Sequence, residues 1–203
     1  MKFLKAFVTF AFLMTTTANA GLLVEPYLGY SFGSAETNVS NAGGANGTYD
    51  IKASGYRLGG RLGYQFLGFM GGVDYGIGAA KEKISSIPNG TSYSLDDYNV
   101  SQLGIFAGYE LPILFRFWAT YYTSYKMEVD GGSNNGDEDS GSGFGLGAGF
   151  TGLPFVSLNL EYKSITIDET EFAGGGSVKY PTNQISERDI NEIVLSVSLP
   201  LDF

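Results

Sequence analysis

Residues 192–203 read Glu192-Ile193-Val194-Leu195-Ser196-Val197-Ser198-Leu199-Pro200-Leu201-Asp202-Phe203. Every second position, from Ile193 through Leu195, Val197, Leu199 and Leu201 to Phe203, is large and apolar. A period of two puts that set on one face of a strand and Glu192, Val194, Ser196, Ser198, Pro200 and Asp202 on the other. One such strand does not say which face meets water. Its neighbours do.

Seven upstream segments repeat the pattern. The first sets Val24, Pro26, Leu28, Tyr30 and Phe32 against Glu25, Tyr27, Gly29, Ser31 and Gly33; the second sets Tyr56, Leu58, Leu62, Tyr64 and Phe66 against Arg57, Arg61 and Gln65. The third opposes Phe69, Val73, Tyr75 and Ile77 to Asp74 and three glycines, and the fourth opposes Leu103, Ile105, Ala107 and Tyr109 to Gln102, Phe106 and Glu110. The fifth alternates Phe115, Phe117, Ala119, Tyr121, Thr123 and Tyr125 with Arg116, Trp118, Thr120, Tyr122, Ser124 and Lys126. In the sixth, Phe144, Leu146, Ala148 and Phe150 alternate with Gly143, Gly145, Gly147 and Gly149; in the seventh, Val156, Leu158, Leu160 and Tyr162 alternate with Ser157, Asn159, Glu161 and Lys163. No charge falls on the apolar face of any segment. Eight strands enclose a space just wide enough for side chains. Eight rows of Phe, Leu, Tyr and Val do not fit there, so the bulky face must meet lipid. The expected fold is all-β, an eight-stranded antiparallel up-and-down transmembrane barrel.

The connections alternate in length. Short turns follow the second, fourth and sixth strands at 66–69, 111–114 and 152–155, whereas roughly 34–50, 80–98, 127–142 and 168–189 read as long polar loops. Transmembrane barrels have short turns at the periplasmic rim and long loops outside the cell. Tyr27, Tyr64, Phe66, Phe69, Tyr109, Phe115, Phe117, Phe155 and Phe203 then form a girdle at the short-turn rim. Asn38-Val39-Ser40, Asn46-Gly47-Thr48 and Asn89-Gly90-Thr91 read as turn chemistry.

The amino terminus supplies an export signal. Lys2 and Lys5 precede a short apolar run, Ala6 to Met14, and Ala18-Asn19-Ala20 has the small residues of a cleavage site. The expected division is a removable signal at 1–20 and a single barrel domain at 21–203. Loss of Lys2 and Lys5 takes the net charge from −9 to −11, which argues against a nucleic-acid partner, since that would want a basic stripe. The chain has no Cys, so no disulfide contributes in the oxidising compartment.

The terminal aromatic strand, with Gly63-Tyr64 and Gly108-Tyr109 at strand ends, resembles the small bacterial outer-membrane barrels typified by the OmpA transmembrane domain, OmpX and OmpW. The resemblance implies a monomer in the outer membrane, in contact with its lipid and with lipopolysaccharide. It also implies that Phe203 is the signal read by the barrel assembly machinery during insertion.

Three groups of residues carry candidate chemistry. The inward face holds the acids Glu25, Asp74, Glu110, Glu161 and Glu192 and the bases Arg57, Arg61, Arg116 and Lys163. Charges in so narrow a lumen must be paired, as a gate or selectivity constriction or as a polar core that plugs the barrel. The glycines at 143–149 do not make a phosphate-binding loop; they leave room for Trp118, Tyr122 and the long charged side chains. Asp130, Asp137, Glu138 and Asp139 offer oxygen ligands of the kind calcium takes, but their spacing fits no calcium loop, and the segment reads as solvated. The chain has no His, which barrel enzymes of the outer membrane resemble one another in requiring, so no catalytic site and no cofactor are expected. The expected role is structural or surface-interacting, with four acidic loops outside and a plugged lumen. The alternative is a narrow pore or a conduit for small hydrophobic molecules.

Overall fold

The structure, a computed structural model, describes residues 21–40, 46–86, 93–132, 134–182 and 188–203. The expected export signal at 1–20 and the Asn89–Thr91 turn lie outside the described residues. Ten strands follow one another: β1 (Gly21–Ser40), β2 (Asn46–Phe66), β3 (Phe69–Ser86), β4 (Tyr93–Glu110), β5 (Phe115–Asp130), β6 (Glu138–Phe150), β7 (Ser157–Glu171), β8 (Ser177–Lys179), β9 (Arg188–Ser198) and β10 (Leu201–Asp202). Each of β1 to β7 pairs antiparallel with the next in sequence, and β9 pairs with both β7 and β1. That last pairing closes the sheet.

β9 and β10 form one stave. Tyr27 faces Ser198 and Val24 faces Leu201 in a single unbroken register, interrupted only around Pro200, which has no N–H to give to a ladder. Leu22 and Phe203 exchange both backbone hydrogen bonds, at 2.9 and 3.1 Å, so the stave is sealed to its last residue. The barrel therefore has eight staves, all antiparallel, in up-and-down order.

The turns explain the tight end. Leu67 and Gly68 both have positive φ, 50° and 83°, the geometry of a two-residue hairpin turn whose twist matches its strands. Glycine tolerates this conformation; Leu67, like Leu114 and Phe155 in the other two turns, holds it at a steric cost.

At the opposite end the segments read as long loops are largely strand, except 168–189, where β7 ends at Glu171 and β9 begins only at Arg188. β1 and β2 stay paired to Ser40↔Asn46, and β6 and β7 to Glu138↔Glu171, so Asn38–Ser40 and Asn46–Thr48 are ladder rungs rather than turns. The pairing outlasts the apolar pattern because ladder hydrogen bonds are made by backbone, not by side chains. A bulge corrects one facing assignment. Gly104 pairs with Tyr122 but Leu103 with Ser124, which inserts one extra residue in β5. Beyond it Tyr125 points inward and Lys126 outward, the reverse of the simple alternation.

Candidate functional site

Which surface can carry a site depends on which one meets lipid. On β1 the exposed outward side chains run from Leu22 through Leu28 and Tyr30 to Phe32. Ten residue steps cover about 33 Å along a strand, or about 25 Å across a membrane at the usual tilt. Equivalent rows end at Tyr56, Ile77, Leu103, Tyr121, Phe144, Tyr162 and Ile193, all exposed. Exposed aromatics edge both sides, including Tyr64, Phe66, Phe69, Phe117, Phe155 and Phe203 at the short-turn rim. Tyr27, counted with that girdle from sequence, instead faces the lumen. No soluble monomer exposes an apolar surface of this extent. The wall stands in a bilayer.

Above the belt the polarity inverts. Along β7 the outward Leu158, Leu160 and Tyr162 give way to Ser164, Thr166 and Asp168, while the inward Glu161 and Lys163 give way to Ile165 and Ile167. The staves therefore continue past the membrane as a water-soluble barrel.

Within the belt the lumen is filled by side chains. Arg116 on β5 grips Glu25 on β1 with both terminal nitrogens, one contact being 2.9 Å, and donates to Asn159 Oδ1 at 2.9 Å and Ser198 Oγ at 3.1 Å. Arg61 on β2 donates to Asp74 Oδ2 at 3.0 Å and to Glu161 Oε2 at 3.3 Å, and lies 3.8 Å from Glu25. Its guanidinium sits 4.2 Å from the centre of the Trp118 ring, a cation over an aromatic face. Tyr27 Oη donates to Asp74 at 3.0 Å, Tyr122 Oη to Glu161 at 2.6 Å, and Lys163 Nζ to Gln102 Oε1 at 2.7 Å. Arg57 pairs with Glu192, whose second oxygen is 4.0 Å from Lys163. Glu25, Asp74, Glu161 and Glu192 thus balance Arg57, Arg61, Arg116 and Lys163, and the network is neutral.

Two apolar clusters bracket it. Leu23, Met70, Phe106 and Trp118 pack toward the short-turn rim. On the other side Ala35, Ala80, Val100, Tyr122, Tyr125, Met127, Ile165, Ile167 and Ile190 form a cap above the charges. Glycines on β6 make the packing feasible: a Cβ on Gly147 would overlap the Trp118 indole, and one on Gly149 would crowd Arg116 and Asn159. Between cap and network lies a cavity of about 10 Å³, space for roughly one water.

The nine charged residues read from sequence do not all join. Glu110 stays half-buried near the rim, accepting a hydrogen bond from Gln65 at 3.1 Å, with no ion pair among the described residues. The four loop acids are kept apart by separate partners. Asp137 accepts from the Ala173 N–H at 2.9 Å, Glu138 from Lys126 at 2.6 Å and Asp139 from Arg188 at 2.8 Å, while Asp130 is exposed opposite Asp97. Among the described residues no three or more acidic side chains come together as a metal ion would require. Sequence reading missed a second polar cluster, in which Arg188 reaches across the mouth to Asp139 on β6 and to Glu82 on β3 at 3.1 Å. Burial pushes the Glu82 carboxyl up despite the opposing pull of Arg188. The inward parity of Glu82 on β3 was the available signal, but it fell in a segment read as loop.

No family model matches the chain, and no curated protein matches it. Among solved structures it is similar to Neisserial surface protein A (16% identity, 87% of this chain and 97% of that one, TM-score 0.46). It is likewise similar to OprG from Pseudomonas aeruginosa (12%, 90% and 97%, 0.49) and to Ail, the attachment invasion locus protein of Yersinia pestis (12%, 87% and 99%, 0.45). Likenesses this distant add nothing to what the lumen itself shows about function.

Proposed function

We propose that this protein is a closed, non-conducting barrel of the bacterial outer membrane whose role is to hold a rigid β-collar at the cell surface for contact with other molecules. The observation that carries this reading is the neutral ion-pair network sealed between two apolar clusters. A permeation path needs a continuous wet channel or a ring of unbalanced charge. Here Arg61 and Trp118 fill the centre, and Tyr122 and Tyr125 close the space above. The collar, in turn, is ordered by paired strands and presents Lys81, Asp97, Lys126, Glu128, Asp168 and Asp189 outward. Outer-membrane lipid and lipopolysaccharide are the surroundings the belt fits. In this reading Phe203, which completes the closing stave, is the contact for the assembly machinery.

The test combines permeability with accessibility. Proteoliposomes holding the full chain should swell in small sugars and amino acids no faster than empty liposomes. Intact cells should expose the collar to surface labelling at a cysteine placed at Asp168. Swelling at porin-like rates, or a collar that labels only after lysis, would overturn the proposal.

A further inference from the structure

The cavity between cap and network is lined by three charged residues that each keep one buried polar atom without a hydrogen-bond partner among the described residues. Arg57 spends one terminal nitrogen on Glu192 and the other on the Tyr56 carbonyl at 3.1 Å, which leaves its Nε. Glu192 gives one oxygen to Arg57, and the other lies beyond hydrogen-bond reach of Lys163. Glu82 gives one oxygen to Arg188. Arg57 Nε, Glu192 Oε2 and Glu82 Oε2 are all buried without a hydrogen-bond partner among the described residues, and all three residues line the same cavity. A buried charged group left short of a bond is costly, and so is rarely left that way.

We infer that this cavity is a binding site for a single ordered water, which donates to Glu82 Oε2 and Glu192 Oε2 and accepts from Arg57 Nε. The stoichiometry fits: with the Tyr125 hydroxyl engaged beside Arg57, the three charged lining residues leave one donor and two acceptors over, and water supplies two protons and a free lone pair. About three hydrogen bonds is the usual complement of a buried water. A second acid–base pair could not fit the volume, and an apolar atom would leave all three groups unpaired. The water joins the clasp at the mouth, Asp139–Arg188–Glu82, to the lumen network through Arg57–Glu192. Clasp and lumen network then form one polar unit, independently of whether the barrel conducts.

Gly33 provides the test because it faces the same cavity. A Cβ there would meet Asn191 O at 3.5 Å and Ala53 Cβ at 3.7 Å, ordinary contact that demands no backbone movement. If the cavity is a dry void, Gly33→Ala fills it and relieves a strand glycine, so the unfolding midpoint rises. If it holds the water, the methyl group displaces it and the midpoint falls. A crystal structure of the full wild-type chain should show one peak within hydrogen-bond distance of all three atoms, lost in Gly33→Ala. An empty wild-type cavity, a stabilised variant, or a peak that gains anomalous scattering on rubidium exchange, and so is a cation, would each overturn the assignment.

Discussion

Arg61 is the point at which the lumen is most exposed to perturbation. Its guanidinium contacts Asp74 at 3.0 Å, Glu161 at 3.3 Å and Glu25 at 3.8 Å, and every one of these side chains is at most 9% exposed. Arg61→Met keeps the stem packed over Trp118 but removes the charge, leaving four lumen acids to three bases. Glu25 keeps Arg116, and Asp74 keeps Tyr27 and Gln102; among the described residues Glu161 keeps only Tyr122. Breaking a buried pair by deleting one partner costs about 3–5 kcal/mol. Trp118 is the sole tryptophan, 3% exposed and in contact with the site, so its fluorescence during urea unfolding in lipid vesicles reads the loss directly. The double variant Arg61→Met/Glu161→Gln removes the orphaned charge as well, leaves three lumen acids to three bases, and should recover most of the stability, because neutral replacements of buried ions are often well tolerated. A single-variant loss below about 1 kcal/mol, or a double variant as unstable as the single, would refute the description of the lumen as a paired and desolvated network.

Other expected outcomes are more local. Gly147→Ala drives a methyl group into the Trp118 indole and should destabilise by about 1–3 kcal/mol, with a red-shifted Trp118 emission; unchanged emission would contradict the packing. Leu67→Asn creates the Asn-Gly pair that its turn prefers and should stabilise the barrel by about 1 kcal/mol, measured as a higher urea midpoint. Burial raises the Glu82 carboxyl, so the folded protein keeps that proton at pH values where the unfolded chain has lost it. Stability should therefore fall as pH rises from the ordinary glutamate range through the raised value, and Glu82→Gln should flatten that interval in pH-dependent unfolding curves.

The barrel was legible because its two constraints are local: alternation fixes which face a residue takes, and turn length fixes which strands are neighbours. Phe203 and the seven upstream rows needed nothing further. The site was legible in composition but not in pairing. That Arg116 meets Glu25, rather than Glu110 directly across the ladder, depends on closure of the sheet and on how far each side chain reaches over the lumen. Tyr125 was assigned to the wrong face because a one-residue bulge leaves no mark in an otherwise regular pattern. The polar segments 34–50 and 127–142 looked like loops for a related reason. Above the bilayer the apolar side of the strands turns inward, so the signal changes sign while the strand continues, and the pairing of Arg188 with Glu82 and Asp139 was hidden with it.

Single-channel recording in planar bilayers tests the central claim most directly. Purified full-length protein, shown by its heat-modifiable gel shift to be folded, should produce no discrete current steps across a wide voltage range, because the neutral network and both apolar clusters exclude a continuous water path. Arg61→Met, with its broken network, should be the variant in which steps first appear. Reproducible, voltage-stable channel openings from the wild-type protein would contradict the account.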